Sequence, residues 1–162
     1  MRDITALGGV TVLSLVTASV AGFLLLSRKF SAMAFVLVAT GAGFLITVLL
    51  KSLYERPRPD VVPHLAAVYT SSFPSGHSMM SAVVYLTLGT LLTRLAATPR
   101  LKFYFLFVAM LLTGLVGISR VYLGVHYPTD VLAGWCGGLT WASLCWLVAR
   151  RLQQRGAIER RL

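Results

Sequence analysis

The residues best suited to chemistry fall in two polar segments, 51–77 and 119–130, of an otherwise apolar chain. The cations there are Lys51, Arg56, Arg58 and Arg120, the imidazoles are His64, His77 and His126, and a carboxylate, Asp130, follows the last imidazole by four residues. This inventory suits an anionic substrate, because phosphoryl transfer spreads negative charge over three equatorial oxygens, which several positioned donors stabilise. Guanidinium groups add a planar fork that binds two oxygens at once.

The pair His126 and Asp130 predicts a nucleophile and the group that orients it. A carboxylate at one imidazole nitrogen holds the tautomer and leaves the other nitrogen free to attack. A second imidazole, His77, is suited to protonate the leaving alkoxide and later to take a proton from water. A zinc site built from Asp130 and the histidines would leave the arginines and the lysine unexplained, so we expect no metal.

The sequence PSGH at 74–77 stands where an apolar stretch begins, which predicts a helix N-terminus. The first backbone N–H groups of a helix have no internal partners, and they attract anions. Ser75 is expected to cap this helix or to give its hydroxyl to a phosphate oxygen, and Gly76 allows close approach of the backbone. Pro128 is predicted at the first position of the last helix, which places Asp130 in its first turn.

Composition indicates a membrane protein. Of 162 residues, 57% are hydrophobic and 12% charged, and the mean hydropathy is +0.78. Five apolar stretches approach the roughly 17–25 residues that cross a bilayer as a helix: 4–26, 30–50, 78–97, 101–118 and 131–149. We therefore predict an all-α polytopic transmembrane bundle of about five spans, forming a single membrane-embedded domain over 1–162. Gly134 and Gly138 in the last stretch form a pattern typical of helix packing.

The net charge of +10 would suggest nucleic acid in a soluble protein, but its distribution indicates a bilayer instead. Ten basic residues fall on one side of the predicted spans: Arg28, Lys29, Arg94, Arg100, Lys102, Arg150, Arg151, Arg155, Arg160 and Arg161. An excess of Lys and Arg marks cytoplasmic loops. The two polar segments and the N-terminus are therefore expected on the outside, and the partner is the membrane, with no nucleic acid.

Three sequence patterns together resemble the signature of the type 2 phosphatidate phosphatase superfamily. They are Lys51 followed after six residues by Arg58 and Pro59, PSGH at 74–77, and Ser119-Arg120 followed after five residues by His126 and after three more by Asp130. All three match in order and spacing, over residues 51 to 130. Membrane members of that family usually have six spans, whereas this chain shows about five.

The resemblance implies a phosphoenzyme mechanism without metal or other cofactor. In it, His126 attacks phosphorus, Asp130 orients His126, and His77 is the acid for the leaving group. The phosphate would be held by Lys51, Arg58, Ser75, Gly76 and Arg120. The implied substrates are phosphates or diphosphates on membrane lipids, such as phosphatidate, phosphatidylglycerophosphate or undecaprenyl diphosphate. The implied location is a bacterial cytoplasmic membrane, with the site on the extracytoplasmic face.

Other interpretations remain open on the sequence alone. A lipid phosphotransferase would use the same residues and replace water by a lipid hydroxyl, and a catalytically idle membrane bundle would keep only the fold. Outside the motif spacing, Arg56 is expected to be an interfacial anchor and His64 a loop residue. The sequence does not determine which lipid is the substrate, or the oligomeric state.

Overall fold

A computed structural model describes residues 1–59 and 71–154. In these ranges the chain forms α1 (Arg2–Ala6), α2 (Val10–Leu26), α3 (Phe30–Leu53), α4 (Gly76–Leu95), α5 (Pro99–Tyr122) and α6 (Pro128–Gln154). The last four helices are long and apolar enough to cross a membrane, and α2 is a shorter apolar helix. The predicted all-α bundle of about five spans is confirmed. The predictions for His64, Arg155, Arg160 and Arg161 concern residues outside the described ranges.

The first apolar stretch is not one continuous span, as was predicted for residues 4–26. Its helix ends at Ala6, and α2 begins only at Val10, after Gly9 in an extended conformation at φ −73° and ψ 150°. A side chain on Gly8 would overlap Val116 of α5 and come within 3.2 Å of the His77 carbonyl oxygen. The two glycines thus let α1 fold back against α5, and α2 retains 17 residues, the lower limit for a span.

Helix α4 lies at the centre of the bundle, in contact with α2, α3, α5 and α6. Glycines allow its closest approach to α6. A Cβ on Gly134 would lie 2.8 Å from the Ser75 carbonyl oxygen, and one on Gly138 would lie 2.6 Å from the Met79 carbonyl oxygen. The predicted helix-packing role of these two glycines is confirmed. Their close approach brings the first turn of α6 beside the first turn of α4.

Four helix termini meet at one end of the bundle, which we call the motif end and define as residues 51–59, 71–77 and 120–130. The ends of α3 and α5 meet there with the beginnings of α4 and α6. Hydrogen bonds join these segments, from Lys51 Nζ to the Ser71 carbonyl at 2.8 Å and from the Ser75 N–H to the Asp130 carbonyl at 3.0 Å. Residues far apart in sequence therefore converge, as the alternation of spans predicted.

Candidate active site

His126 lies in the short turn between α5 and α6. Helix α5 ends in a Schellman motif, in which Gly124 N–H bonds the Val121 carbonyl at 2.9 Å and Val125 N–H bonds the Arg120 carbonyl at 3.3 Å. Gly124 has φ 70°, a conformation that favours glycine. The turn holds His126 almost fully buried, with 3% of its surface exposed. Sequence reasoning missed Gly124, although a glycine two residues before a buried imidazole was a usable signal.

One side of the His126 ring faces a closed polar network. The Asp130 carboxylate is fully buried, and its Oδ2 accepts hydrogen bonds from the Ser72 hydroxyl and from Tyr127 N–H at 3.0 Å. His126 Nδ1 lies 3.5 Å from Asp130 Oδ2 and 3.4 Å from Ser72 Oγ. His126 and Asp130 are thus neighbours, as predicted, but the distance between Nδ1 and Oδ2 is longer than a usual hydrogen bond. Ser72 contacts both groups.

The other side of the ring faces cations. Arg58 NH1 lies 3.4 Å from His126 Nε2 and donates to the Val125 carbonyl at 2.8 Å. Arg120 is 5% exposed, and its NH1 donates to the Thr5 hydroxyl at 3.0 Å. Its Nε finds no hydrogen-bond partner in the described part of the chain. Buried N–H groups are normally paired, so this donor suits an oxygen of a bound anion.

The electrostatic surroundings keep His126 neutral. Burial, and then the charges of four neighbours, lower the pKa of His126 to about 2; these neighbours are Arg58, Arg120, Lys51 and His77. Burial also lowers the pKa of Arg58, against the opposing charge of Asp130, but a guanidinium remains charged at neutral pH. An uncharged imidazole beside a fixed cation is ready to act as a nucleophile toward an anion that the cations bind.

The first turn of α4 is arranged around Lys51. Ser75 occupies the N-cap position, but its hydroxyl makes no capping bond and instead accepts a hydrogen bond from Ser78 Oγ at 3.0 Å. The capping alternative for Ser75 was therefore wrong, and phosphate binding remains a prediction. A Cβ on Gly76 would lie 3.1 Å from Lys51 Cε. The glycine thus lets the lysine side chain cross the helix end close to the half-buried His77.

Arg56 belongs to the site, and its interpretation as an interfacial anchor was wrong. Its NH1 donates to Asp130 Oδ1 at 2.8 Å and to Thr129 Oγ1 at 2.9 Å, and its guanidinium carbon lies 4.3 Å from the centre of the Tyr127 ring. The family motif does not include this position. A usable signal was its separation of two residues from Arg58, since alternate residues of an extended segment point the same way.

An apolar groove of about 570 Å³ between α2, α3 and α4 reaches the site from the membrane-spanning part of the bundle. Leu13, Leu37, Phe44 and Val48 contribute to its walls, and Lys51, Gly76 and His77 line it at the motif end. The groove therefore joins an apolar environment to three of the predicted site residues, at the N-terminus of α4. Its shape suits a ligand with an apolar chain and an anionic head.

Comparison with known proteins identifies the family of the chain. Residues 31–154 match the PAP2 superfamily. The chain is 40% identical over 141 residues to phosphatidylglycerophosphatase B of Bacillus subtilis, covering 86% of this chain and 68% of that protein. It is 33% identical over 110 residues to a decaprenylphosphoryl-5-phosphoribose phosphatase of Mycobacterium tuberculosis, of which it spans 55%.

Two crystal structures have a similar fold. The PAP2-type phosphatidylglycerolphosphate phosphatase of Bacillus subtilis has a TM-score of 0.85 at 36% identity, covering 93% of this chain and 75% of that one. Aquifex aeolicus LpxE has a TM-score of 0.67 at 26% identity, covering 90% and 82%. The chain therefore belongs to the PAP2 superfamily, and it is an integral membrane phosphatase of that family.

Proposed function

We propose that the protein hydrolyses the phosphate of a membrane lipid through a phosphohistidine at His126, with phosphatidylglycerophosphate as the first candidate substrate. The observation that carries the proposal is the two-sided environment of His126. Its Nε2 lies beside Arg58, on the side where a phosphate would be held, while its Nδ1 lies against Ser72 and Asp130. The similarity to the phosphatidylglycerophosphatase of Bacillus subtilis supports the choice of substrate.

In the proposed first step, His126 Nε2 attacks phosphorus and the bond from phosphorus to the lipid oxygen breaks. His77 gives a proton to that oxygen, which leaves as the lipid alcohol. In the second step, His77 takes a proton from water, the resulting hydroxide attacks phosphorus, and the bond from phosphorus to His126 Nε2 breaks. Inorganic phosphate is released, and neutral His126 and protonated His77 are restored. Throughout, the phosphate oxygens would be held by Lys51, Arg58 and Arg120, and by Ser75 and Gly76 at the N-terminus of α4.

The groove between α2, α3 and α4 supports a lipid substrate over a soluble phosphate ester. Apolar side chains such as Leu13 and Phe44 line it within the membrane-spanning region. A hydrocarbon chain there would leave the phosphate at the groove's polar end, beside Lys51 and His77. The groove lets such a chain stay in an apolar environment while its phosphate reaches the site, whereas a soluble phosphate ester has no chain to place there.

We propose that this chemistry needs no metal. In the described ranges, no three His, Cys, Asp or Glu side chains cluster as metal ligands, and cations already occupy the side of His126 that would meet the phosphate. Turnover is therefore expected to be unchanged after dialysis against EDTA. Strong inhibition by EDTA that a divalent ion reverses would contradict the proposal.

The motif end is proposed to face the outside of a bacterial cytoplasmic membrane. Ala66, a natural position for a labelling site in the 51–77 segment, lies outside the described residues, but Glu55 is exposed at the same end. In a protein with Cys136 and Cys145 replaced by alanine, Glu55→Cys should react with an impermeant thiol reagent added to intact cells. Arg100→Cys, at the opposite end, should be protected. The reverse labelling pattern would overturn this orientation.

The decisive experiment is phosphate release by purified protein in detergent from phosphatidate, phosphatidylglycerophosphate and undecaprenyl diphosphate, with His126→Ala as control. Release that vanishes in the variant would support the proposal and rank the substrates. Labelled phosphate retained on wild-type protein after alkaline quench would identify the phosphohistidine. Transfer of that phosphate to an added lipid alcohol, in place of water, would indicate a phosphotransferase. No release by a folded wild-type protein would favour the idle bundle.

A further inference from the structure

Ser72 lies at the contact between the nucleophile and its carboxylate, although no part of the motif spacing includes it. Its side chain is fully buried. Its hydroxyl hydrogen-bonds Asp130 Oδ2 and lies 3.4 Å from His126 Nδ1. Its backbone N–H donates to the Arg56 carbonyl at 2.9 Å, which holds the residue in place.

The direction of these hydrogen bonds follows from the number of protons available. A serine hydroxyl has one proton to donate, and an ionised carboxylate only accepts. Asp130 accepts from Arg56 at its Oδ1, at 2.8 Å, and the Ser72 hydroxyl donates to Asp130 Oδ2. The Ser72 oxygen then has lone pairs left for His126, and it can only accept from Nδ1–H.

This direction specifies the tautomer of His126. With the proton on Nδ1, Nε2 has a free lone pair, and that nitrogen lies 3.4 Å from Arg58 NH1, a group that can only donate. Both neighbours of the ring thus favour the same tautomer. The direct distance from His126 Nδ1 to Asp130 Oδ2 is 3.5 Å, so the serine contact is at least as close as the carboxylate contact.

We propose that Ser72 is a positioning residue that relays the orienting effect of Asp130 to His126, in the order His126 Nδ1–H to Ser72 Oγ and Ser72 O–H to Asp130 Oδ2. As the imidazole becomes positively charged during attack, the Ser72 oxygen stabilises Nδ1–H, and the carboxylate stabilises the serine dipole. Ser72 is not among the residues that line the groove. This inference rests on the proposed function for its kinetic part, but its tautomer prediction does not.

The kinetic test compares Ser72→Ala with Ser72→Thr and with Ser81→Ala. Loss of a hydrogen bond to a charged group changes a rate by roughly tenfold to a hundredfold. We therefore expect Ser72→Ala to lower kcat by about that factor and to leave KM within about twofold of the wild-type value. Ser72→Thr keeps the hydroxyl and should recover most of kcat. Ser81 is a matched control, since its hydroxyl is equally buried and donates to the Ser78 carbonyl at 3.0 Å, away from His126.

The structural test is nitrogen NMR of protein labelled with ¹⁵N-histidine in detergent, with His126→Gln used to assign the signal. Wild-type His126 should carry its proton on Nδ1, and Ser72→Ala should show the Nε2-protonated form as well, while the thermal midpoint shows that the variant is folded. A wild-type proton on Nε2 would overturn the relay, even if Ser72→Ala does not fold. An unchanged tautomer or unchanged kcat in folded Ser72→Ala would also overturn it. If the wild type released no phosphate, the proposed function would be refuted. The tautomer of His126 would still show whether Ser72 acts as the relay.

Discussion

The two sides of the His126 ring differ in how far their polar groups are satisfied. On the Nδ1 side, both oxygens of Asp130 are occupied, by Ser72 and Tyr127 N–H at Oδ2 and by Arg56 at Oδ1. Nε2 lies beside Arg58, and Arg120, whose charge also acts on His126, has a buried Nε with no partner in the described ranges. A complete network rigidifies a side chain, whereas unsatisfied donors await a ligand. In the proposed function, the first side orients the ring, and the second meets the substrate.

This contrast also separates two arginines that are two residues apart. Arg58 reaches the Nε2 side, 3.4 Å from that nitrogen, and Arg56 reaches the carboxylate on the other side. A guanidinium already committed to Asp130 is a poor candidate for binding phosphate, while Arg58 stands where the phosphate would lie. Substitutions on the two sides are therefore expected to change different kinetic constants.

The largest effect on activity is expected from substitution of His126, whose ring separates the two sides. His126→Ala removes the nucleophile, so phosphate release should fall by at least about four orders of magnitude. Because His126 lies in the turn between α5 and α6, outside the helices of the bundle, the protein should remain folded by circular dichroism. Turnover within tenfold of wild type would show that another group attacks phosphorus.

Next in size is the loss of a cation from the Nε2 side. Arg58→Ala should lower kcat/KM by about a hundredfold to a thousandfold, since one donor aimed at the developing charge contributes about that much. Arg58→Lys keeps the charge but loses the planar fork, so its kcat/KM should lie between those of Arg58→Ala and wild type. Initial rates over a range of lipid concentrations in mixed micelles provide the comparison. Equal activity of all three proteins would remove Arg58 from the phosphate site.

A smaller effect is expected on the Nδ1 side. Arg56→Ala leaves one oxygen of Asp130 without this partner, so the carboxylate should be less rigidly positioned. We expect kcat to fall by about threefold to tenfold, with little change in KM. The ion pair is partly exposed, with 40% of the arginine side chain accessible, so solvent screening limits its contribution. Arg100→Ala, an exposed arginine at the opposite end of the bundle, is the matched control. A rise in KM with kcat unchanged would place Arg56 among the phosphate ligands instead.

The smallest expected effect is on stability as the pH falls. The native pKa of His126 is about 2, against an ordinary value of 6.5, so between these values the unfolded chain binds a proton that the native state does not. The contribution of this residue to the free energy of unfolding is therefore constant above pH 6.5 and decreases below it. The thermal midpoint of wild type, minus that of His126→Gln, should therefore decrease between pH 7 and pH 5. A constant difference would indicate that His126 titrates normally in the native protein.

Much of the site was predictable because its chemistry lies in residue types at fixed spacings. The pattern from Lys51 to Asp130 contains the proposed nucleophile, its carboxylate and the cations, and the alternation of apolar stretches placed both polar segments at one end of the bundle. The positions of α3 to α6 followed from the same alternation, although their ends differ from the predicted stretches by up to five residues. The break at Gly8 and Gly9 was missed, because a hydropathy pattern does not register where a chain folds back on a neighbouring helix.

Hydrophobicity and side-chain type are local properties, so the order of residues was enough to predict a membrane bundle and a phosphate chemistry. Other features depend on how the helices pack: which arginine faces which side of His126, the absence of a capping bond from Ser75, and the contact of Ser72 with both His126 and Asp130. Those facts depend on the close approach of α6 to α4 at Gly134 and Gly138, and on the turn at Gly124. Distances between groups on different helices are set by packing, which no spacing along the chain encodes.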